Sequence, residues 1–279
     1  MEASAESPVS AVLREYGGAT RAMLFDYLPN AEPRRYLYDL VADYPRRGGR
    51  SFRPSLCIAT ARAFGTPVEV ALRTAVSIEL IHNAMLIHDD IEDESEQRRG
   101  QPTMHVAQGV PIAINVGDTL SLLSMRPLLD NRHLLGSGLS LRILEETERM
   151  ARESAEGQAL ELGWRRDNVT DVTEAHYLLM VLKKTCWLAT IHPSRMGALI
   201  GSAGAMDLDR CIRFGFFLGA AFQIQDDLLN LEGDATAYGK ELGGDIREGK
   251  RTLMLIHLIG QATETERERL RNMLGQPRD

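Results

Sequence analysis

The stretch Ile81–Gly100, IHNAMLIHDDIEDESEQRRG, narrows what this chain can fold into more than any other. An apolar run ends in Asp89, Asp90, Glu92, Asp93, Glu94 and Glu96, and the acidic stretch stops at Arg98-Arg99. At helical pitch Asp89 and Asp93 lie one turn apart on one face, with His82 two turns before Asp89. Like charges at this spacing repel and weaken a helix. Their retention under an apolar helix implies a cationic ligand. A second stretch, Phe214–Asn230 (FGFFLGAAFQIQDDLLN), mirrors the first. Gln223, Asp226 and Asn230 share one face, and Asp227 lies beside them. Two helices then each present oxygen ligands at one end. Carboxylate and amide oxygens with room for water and phosphate suit magnesium, so the simplest reading is a paired-helix, multi-metal diphosphate site.

At 279 residues the chain is long enough for a substantial core, in one large domain or two small ones. The formal net charge of −7 argues against a nucleic-acid partner. Any anionic substrate must therefore be met by local basic residues and metal. Cys57, Cys186 and Cys211 are odd in number and widely spaced. They argue against a disulfide framework and a zinc site, and fit a reducing, cytoplasmic compartment. MEASAESPVSAV lacks the basic and apolar regions of a secretory signal. No apolar run approaches the ~20 residues of a membrane span, so no transmembrane segment is expected.

Apolar periodicity predicts helices over Ala11–Leu28, Arg35–Tyr44, Ser55–Phe64, Pro67–His88, Val110–Asp130 and Leu139–Leu162. Further helices are predicted over Val172–Thr190, Leu208–Leu231, Thr252–Ile259 and Glu264–Leu274, with Pro193 kinking or ending the first of these. PRRGGRSFRP is a basic turn, and Glu232–Lys250 reads as a charged, glycine-rich loop. β-Branched alternation is scarce and no hairpin dipeptide separates strands. No internal repeat is present. The expectation is an all-α bundle with its polar chemistry gathered at helix ends around one cavity.

DDIED followed by RRGQPT, together with FQIQDDLLN, resembles the first and second aspartate-rich motifs of the trans-isoprenyl diphosphate synthases, the polyprenyl synthetases. The resemblance runs from about Gly48 to Leu258, with the motifs in matching order and spacing. Either acidic motif alone reads equally well as a solvated helix end. The resemblance implies an isoprenoid synthase fold as one domain over residues 1–279. It also implies a magnesium-dependent prenyltransferase joining isopentenyl diphosphate to an allylic diphosphate, head-to-tail and trans. Asp89, Asp90, Asp93, Asp226 and Asp227 match the family's metal-binding motifs, and Asn230 stands where many members carry a third aspartate. They would hold a cluster of about three magnesium ions, with manganese able to substitute.

Arg50, Arg53, His82 and Arg99 resemble the isopentenyl diphosphate pocket. The basic stretch departs from the family's Gly-Gly-Lys-Arg-x-Arg-Pro, since Arg50 replaces a lysine and Ser51 an arginine. Lysine and arginine are not equivalent against phosphate. Arg98, Lys184, Thr185, Gln223 and Lys240 resemble contacts of the allylic diphosphate, with Lys250 near by. In that role Thr185 and Gln223 offer oxygen dipoles to the allylic cation, and Lys184 acts on the leaving group. A buried Lys184 needs a partner, and a diphosphate would serve. GKELGGDIREGK makes sense as a mobile cover.

Ala84 and Met85, five and four residues before Asp89, are expected to limit chain length, with Phe222 below Asp226. HNAMLIHDDIEDES and GQALELGWRRD look like geranylgeranyl diphosphate synthases, which implies a C20 product. Farnesyl and C25 or longer products are the alternatives. A class I terpene cyclase needs only one diphosphate site, and a regulatory subunit of a heteromeric synthase would lack one aspartate motif. The resemblance also implies a homodimer. The family usually continues beyond GQPRD for further helices, which makes this a short or C-terminally truncated form.

Overall fold

The computed structural model describes residues 7–233 and 243–276. Helix α1 spans Pro8–Asp26. It begins earlier than its apolar pattern suggests, because the Ser7 side chain accepts from the Ser10 amide and Pro8 fits the first turn. A π-helical turn, Arg34–Tyr38, and two short helical pieces, Asp39–Val41 and Asp43–Arg46, replace the single helix expected there. Helix α2 (Phe52–Ala63) follows the glycine turn, and α3 (Val68–Glu92) follows Pro67.

Helix α3 is the centre of the fold. It is apolar on almost every side, as a helix with packed neighbours all round should be. Ala71, Ala75 and Ile78 pack with Cys57, Ile58 and Leu199. Val76, Leu80 and Ile87 pack with Leu24, Tyr44 and Leu120. Ile81 joins a third cluster with Met150, Trp187 and Ile191. Each large aliphatic side chain among them contributes about 1.5–3 kcal/mol on burial. By length and composition alone α3 would be long and apolar enough to cross a membrane, a property it shares with core helices of its kind. Its apolar window is 67% buried inside the protein.

A minimal hairpin follows α3. β1 (Gln97–Arg98) pairs antiparallel with β2 (Gln101–Pro102). Arg99 and Gly100 both have positive φ, 55° and 72°, the combination a two-residue type I′ turn requires. The absence of a familiar hairpin dipeptide hid it. Short α4 (Met104–Gln108) leads to α5 (Val110–Leu123) and α6 (Met125–Asp130), which divide the single helix expected over that stretch. Helix α7 (Arg132–Arg166) is longer than expected and kinks at Gly136, whose φ is 76°.

Pro193 does not end the next helix. α8 (Glu174–Val181), a π-helical segment (Leu182–Ile191) and α9 (His192–Gly201) run on without a break. A π stretch placed before the proline relieves the missing amide and the ring's clash with the preceding turn. Helix α10 (Arg210–Glu232) carries the second acidic end. Two glycines bring α7 and α10 hard against the π segment. A Cβ on Gly157 would lie 2.2 Å from the Lys184 amide nitrogen, and one on Gly219 would lie 2.8 Å from Cys186 Sγ. The chain closes with α11 (Gly244–Arg247), α12 (Leu253–Gln261) and α13 (Glu264–Leu274).

Candidate active site

The C-terminal end of α3, the C-terminal half of α10 and the π segment surround a cavity of about 580 Å³. Asp89 and Asp226 both line it, so the two acidic helix ends converge on one space. The π segment sets Lys184 and Thr185, adjacent in sequence, on the wall between them. Lys184 Nζ lies 3.4 Å from Asp89 Oδ1 and bonds the Glu161 carboxylate. Burial acts to lower the Lys184 ammonium, but Asp89 and Glu161 outweigh it and hold it above the ordinary lysine value. Its partners are thus carboxylates of the protein, where a diphosphate had been expected.

The aspartates divide into two kinds. Asp90 is fully buried and does not line the cavity. It accepts from the Tyr44 hydroxyl at 2.6 Å and from Arg98 Nε at 2.9 Å. It therefore anchors Arg98, and the expected ligand role is corrected. One residue along a helix is a rotation of about 100°, which turns Asp90 away from the face of Asp89. Asp227 lines the cavity but accepts from Tyr177 Oη at 2.6 Å and Gln223 Nε2 at 2.8 Å. Burial pushes its carboxyl up to about 6 although both hydrogen bonds oppose the rise. Asn230 is corrected as well. Its Oδ1 accepts from the Asp245 amide at 3.1 Å and its carbonyl accepts from the Gly243 amide at 2.8 Å, so it positions α11. Asp93 is buried and, like Asp90, is not on the cavity lining; it pairs with Arg165 at 2.6 Å and with Lys250, which does line the cavity, at 2.8 Å.

Thr185 Oγ1 donates to Gln223 Oε1 at 2.7 Å. Together with the bonds to Asp227 and Tyr177, this forms a chain of four polar groups across the cavity wall. The two oxygens expected to face a cation are bonded to each other, which fixes their orientation.

The basic side is built from α2, α3 and the hairpin. Arg53, His82, Arg98 and Arg99 line the cavity. Arg53 Nη1 lies 3.4 Å from His82 Nε2. A guanidinium only donates, so His82 accepts there and carries its proton on Nδ1. Burial, then Arg53, Arg99 and Arg98, press the imidazole well below its ordinary value and keep it neutral. Burial also lowers the Arg53 guanidinium, against the pull of Glu79 and Asp226. Arg50 is exposed and does not line the cavity, contrary to expectation. The glycine turn admits Arg99 in its place: a Cβ on Gly49 would lie 2.8 Å from Arg99 Nη2.

Met85 and Phe222 line the cavity, and Phe222 stacks on Phe52 with centroids 6.4 Å apart. Ala84 is corrected: it is buried among Leu80, Ile87 and Val116, on the other side of α3. Lys240 lies outside the described residues. Nothing local in the sequence marks Tyr44, Tyr177 or Asp245 as part of the site, and Gln158, Glu161 and Arg165 also join it. Gln158 Nε2 donates to Asp89 Oδ1 at 3.3 Å. Gln158, Glu161 and Arg165 fall at i, i+3 and i+7 of α7, a one-face pattern that was readable.

Among the described residues no group of His, Cys, Asp and Glu side chains is arranged to hold a metal unaided. The donors facing the cavity are oxygens interleaved with lysine and arginine. That set fits a hard cation shared between carboxylate and phosphate oxygens, and does not fit a closed protein cage.

The sequence profile of the polyprenyl synthetase family matches residues 34–279. The short chain isoprenyl diphosphate synthase of Methanothermobacter thermautotrophicus is 38% identical over 82% of this chain and 68% of its own. The octaprenyl diphosphate synthase of Escherichia coli is 34% identical over the same shares. The crystal structure of geranylgeranyl pyrophosphate synthetase from Pyrococcus horikoshii superposes with a TM-score of 0.86 at 33% identity, covering 96% of this chain and 80% of that one. Geranylgeranyl pyrophosphate synthase from Corynebacterium glutamicum, solved with isoprenyl diphosphate and magnesium, gives a TM-score of 0.80 at 27% identity over 96% and 81%. The fold and cavity are those of a helical prenyltransferase. The chain belongs to the polyprenyl synthetase family.

Proposed function

We propose that this enzyme joins isopentenyl diphosphate to an allylic diphosphate, head-to-tail and trans, with geranylgeranyl diphosphate as its main product. One observation carries the reading. Both acidic helix ends and a separate basic pocket open on one cavity. A terpene cyclase has no use for the second pocket.

Asp89, Asp93 and Asp226 would hold the metal, read as magnesium, with about three ions bound and manganese as a substitute. Bound there, metal would supply the positive charge that favours departure of the allylic diphosphate. Lys184 and Arg98 neutralise that leaving group. Thr185 and Gln223, locked by their mutual hydrogen bond, present fixed dipoles to the developing allylic cation. Arg53, neutral His82 and Arg99 hold isopentenyl diphosphate so that its double bond can attack. The proton then lost passes to the departing diphosphate.

The C20 product is supported by the unbranched Met85 and by Leu188 and Met180 on the apolar wall. A homodimer is supported by the apolar face of α5, where Ile114 and Leu122 are 44% and 69% exposed. We place the enzyme in the cytoplasm, on the free cysteines. The deciding experiment is mass spectrometry of products from dimethylallyl, geranyl and farnesyl diphosphates with isopentenyl diphosphate and magnesium. Consumption of isopentenyl diphosphate with C20 accumulation is expected. No consumption overturns the reading, and a farnesyl or C25 and longer product overturns its chain length.

A further inference from the structure

Asp93 is 3% exposed, and two cations hold its two oxygens separately. Arg165 Nη1 lies 2.6 Å from Oδ1 and Lys250 Nζ lies 2.8 Å from Oδ2. The cations differ in what else they can reach. Lys250 lines the cavity and also pairs with Glu248 at 2.7 Å and Asp245 at 3.5 Å. An anion entering the cavity can therefore draw it off Asp93. Arg165, like Asp93 itself, is not on the cavity lining, so Lys250 is the one of the three that borders the cavity. Arg165 projects from the last turn of α7, where the helix dipole favours a cation, and its Nη2 donates to the Glu92 carbonyl at 3.5 Å. Its charge is permanent and its fork is held at both nitrogens. Arg165 is thus tied to Asp93 from outside the cavity.

We propose that Arg165 is a tethered counter-ion of Asp93 that weakens divalent-metal binding at the first acidic end, so that metal is released more readily than from an aspartate without this partner. The inference rests on the reading that Asp93 helps hold metal. A fixed positive charge within a few ångströms of a divalent ion opposes its binding. The same contact keeps the carboxylate aimed and ready. Arg165 acts through Asp93 and touches no substrate, so it is a positioning residue.

The test is calorimetric titration of Mn²⁺ into the full-length protein with saturating inorganic pyrophosphate. Arg165→Gln removes the charge and keeps a donor, and should tighten Mn²⁺ binding about 5- to 10-fold. Arg165→Lys keeps the charge and should stay within about twofold of wild type. Asp93→Asn should weaken binding, and adding Arg165→Gln to it should restore nothing. Binding that is unchanged or weaker in Arg165→Gln overturns the proposal. So does an equal gain in Arg165→Lys, where charge is retained. If Asp93→Asn binds like wild type, the metal assignment of Asp93 fails and takes the proposal with it. That result is distinct from a weakened Asp93→Asn beside an unchanged Arg165→Gln, which sinks the Arg165 role alone. Arg165→Met serves if the glutamine variant does not fold, and failure of both to fold makes Arg165 a structural residue and overturns the idea.

Discussion

Asp90 and Asp227 hold the same place in the two acidic helix ends, and each accepts a hydrogen bond from a buried tyrosine hydroxyl at 2.6 Å. Beyond the tyrosine they differ. Asp90 faces the Arg98 guanidinium, whereas the other partner of Asp227 is the neutral amide of Gln223. The contrast extends along the first end, where Lys184 neighbours Asp89, and Arg165 and Lys250 grip Asp93. One end is assembled with its counter-charges built in. At the other, a buried carboxyl is left to neutral donors and is pushed up to about 6 by burial. The same DD pair on an apolar helix thus becomes an ion-paired strut in one place and a poorly compensated acid in the other.

The comparison can be broken most forcefully at the residues the two ends share. Asp89→Asn and Asp226→Asn should each lower kcat/KM by about 10²–10³-fold in steady-state assays with magnesium. Near wild-type turnover in either variant would mean that the ends do not act together. Next in size is a pH effect at the second end. Burial pushes the folded Asp227 carboxyl up to about 6, above the ordinary aspartate value, so the native state binds the proton more tightly than the unfolded chain. Its stabilising contribution is full below about pH 4, falls as the pH rises toward about 6 and is gone above, a change of about 3 kcal/mol. Denaturant titrations of metal-free protein should show this decline, and Asp227→Asn should flatten it.

A smaller effect separates the tyrosines. Tyr177→Phe removes one of two neutral donors from Asp227 and should cost about 1–3 kcal/mol. Tyr44→Phe leaves Asp90 on Arg98 but strips the buried Met104 amide of its acceptor at 3.2 Å, so its cost of about 1–3 kcal/mol should not vary over about pH 4–7. A Tyr177→Phe loss equally independent of pH would erase the distinction. Smallest of all, Arg50→Ala should change KM for isopentenyl diphosphate by less than about twofold, because exposed charges act weakly through water. Arg99→Ala should raise it by about tenfold or more.

The two acidic ends and the helical character of the chain were legible because charge and apolar spacing are written directly in the residues. Direction was not. Asp89 and Asp90, or Ala84 and Met85, look interchangeable as neighbours in a motif, yet a rotation of about 100° sends one into the cavity and the other into packed core. Asn230 looked like a ligand because its residue type allows it, but Oδ1 is already engaged by the Asp245 amide. Tyr44 and Tyr177 were invisible because nothing local marks a tyrosine that reaches 46 or 50 residues along the chain for its partner. The hairpin at Arg99-Gly100 went unread because arginine is not a residue one seeks at positive φ.

The π-helical stretch Leu182–Ile191 carries a liability of its own. Such widened turns hold more chain per turn than the ordinary pitch. Loss of a single codon there would let the backbone relax to that pitch, and the side chains inside the stretch would shift round the helix axis relative to its flanks. Lys184 would part from Glu161, Thr185 from Gln223, and Gly157 and Gly219 would meet side chains they are shaped to exclude. A one-residue deletion in this span should therefore be worse tolerated than a comparable deletion in the exposed loop at residues 30–31.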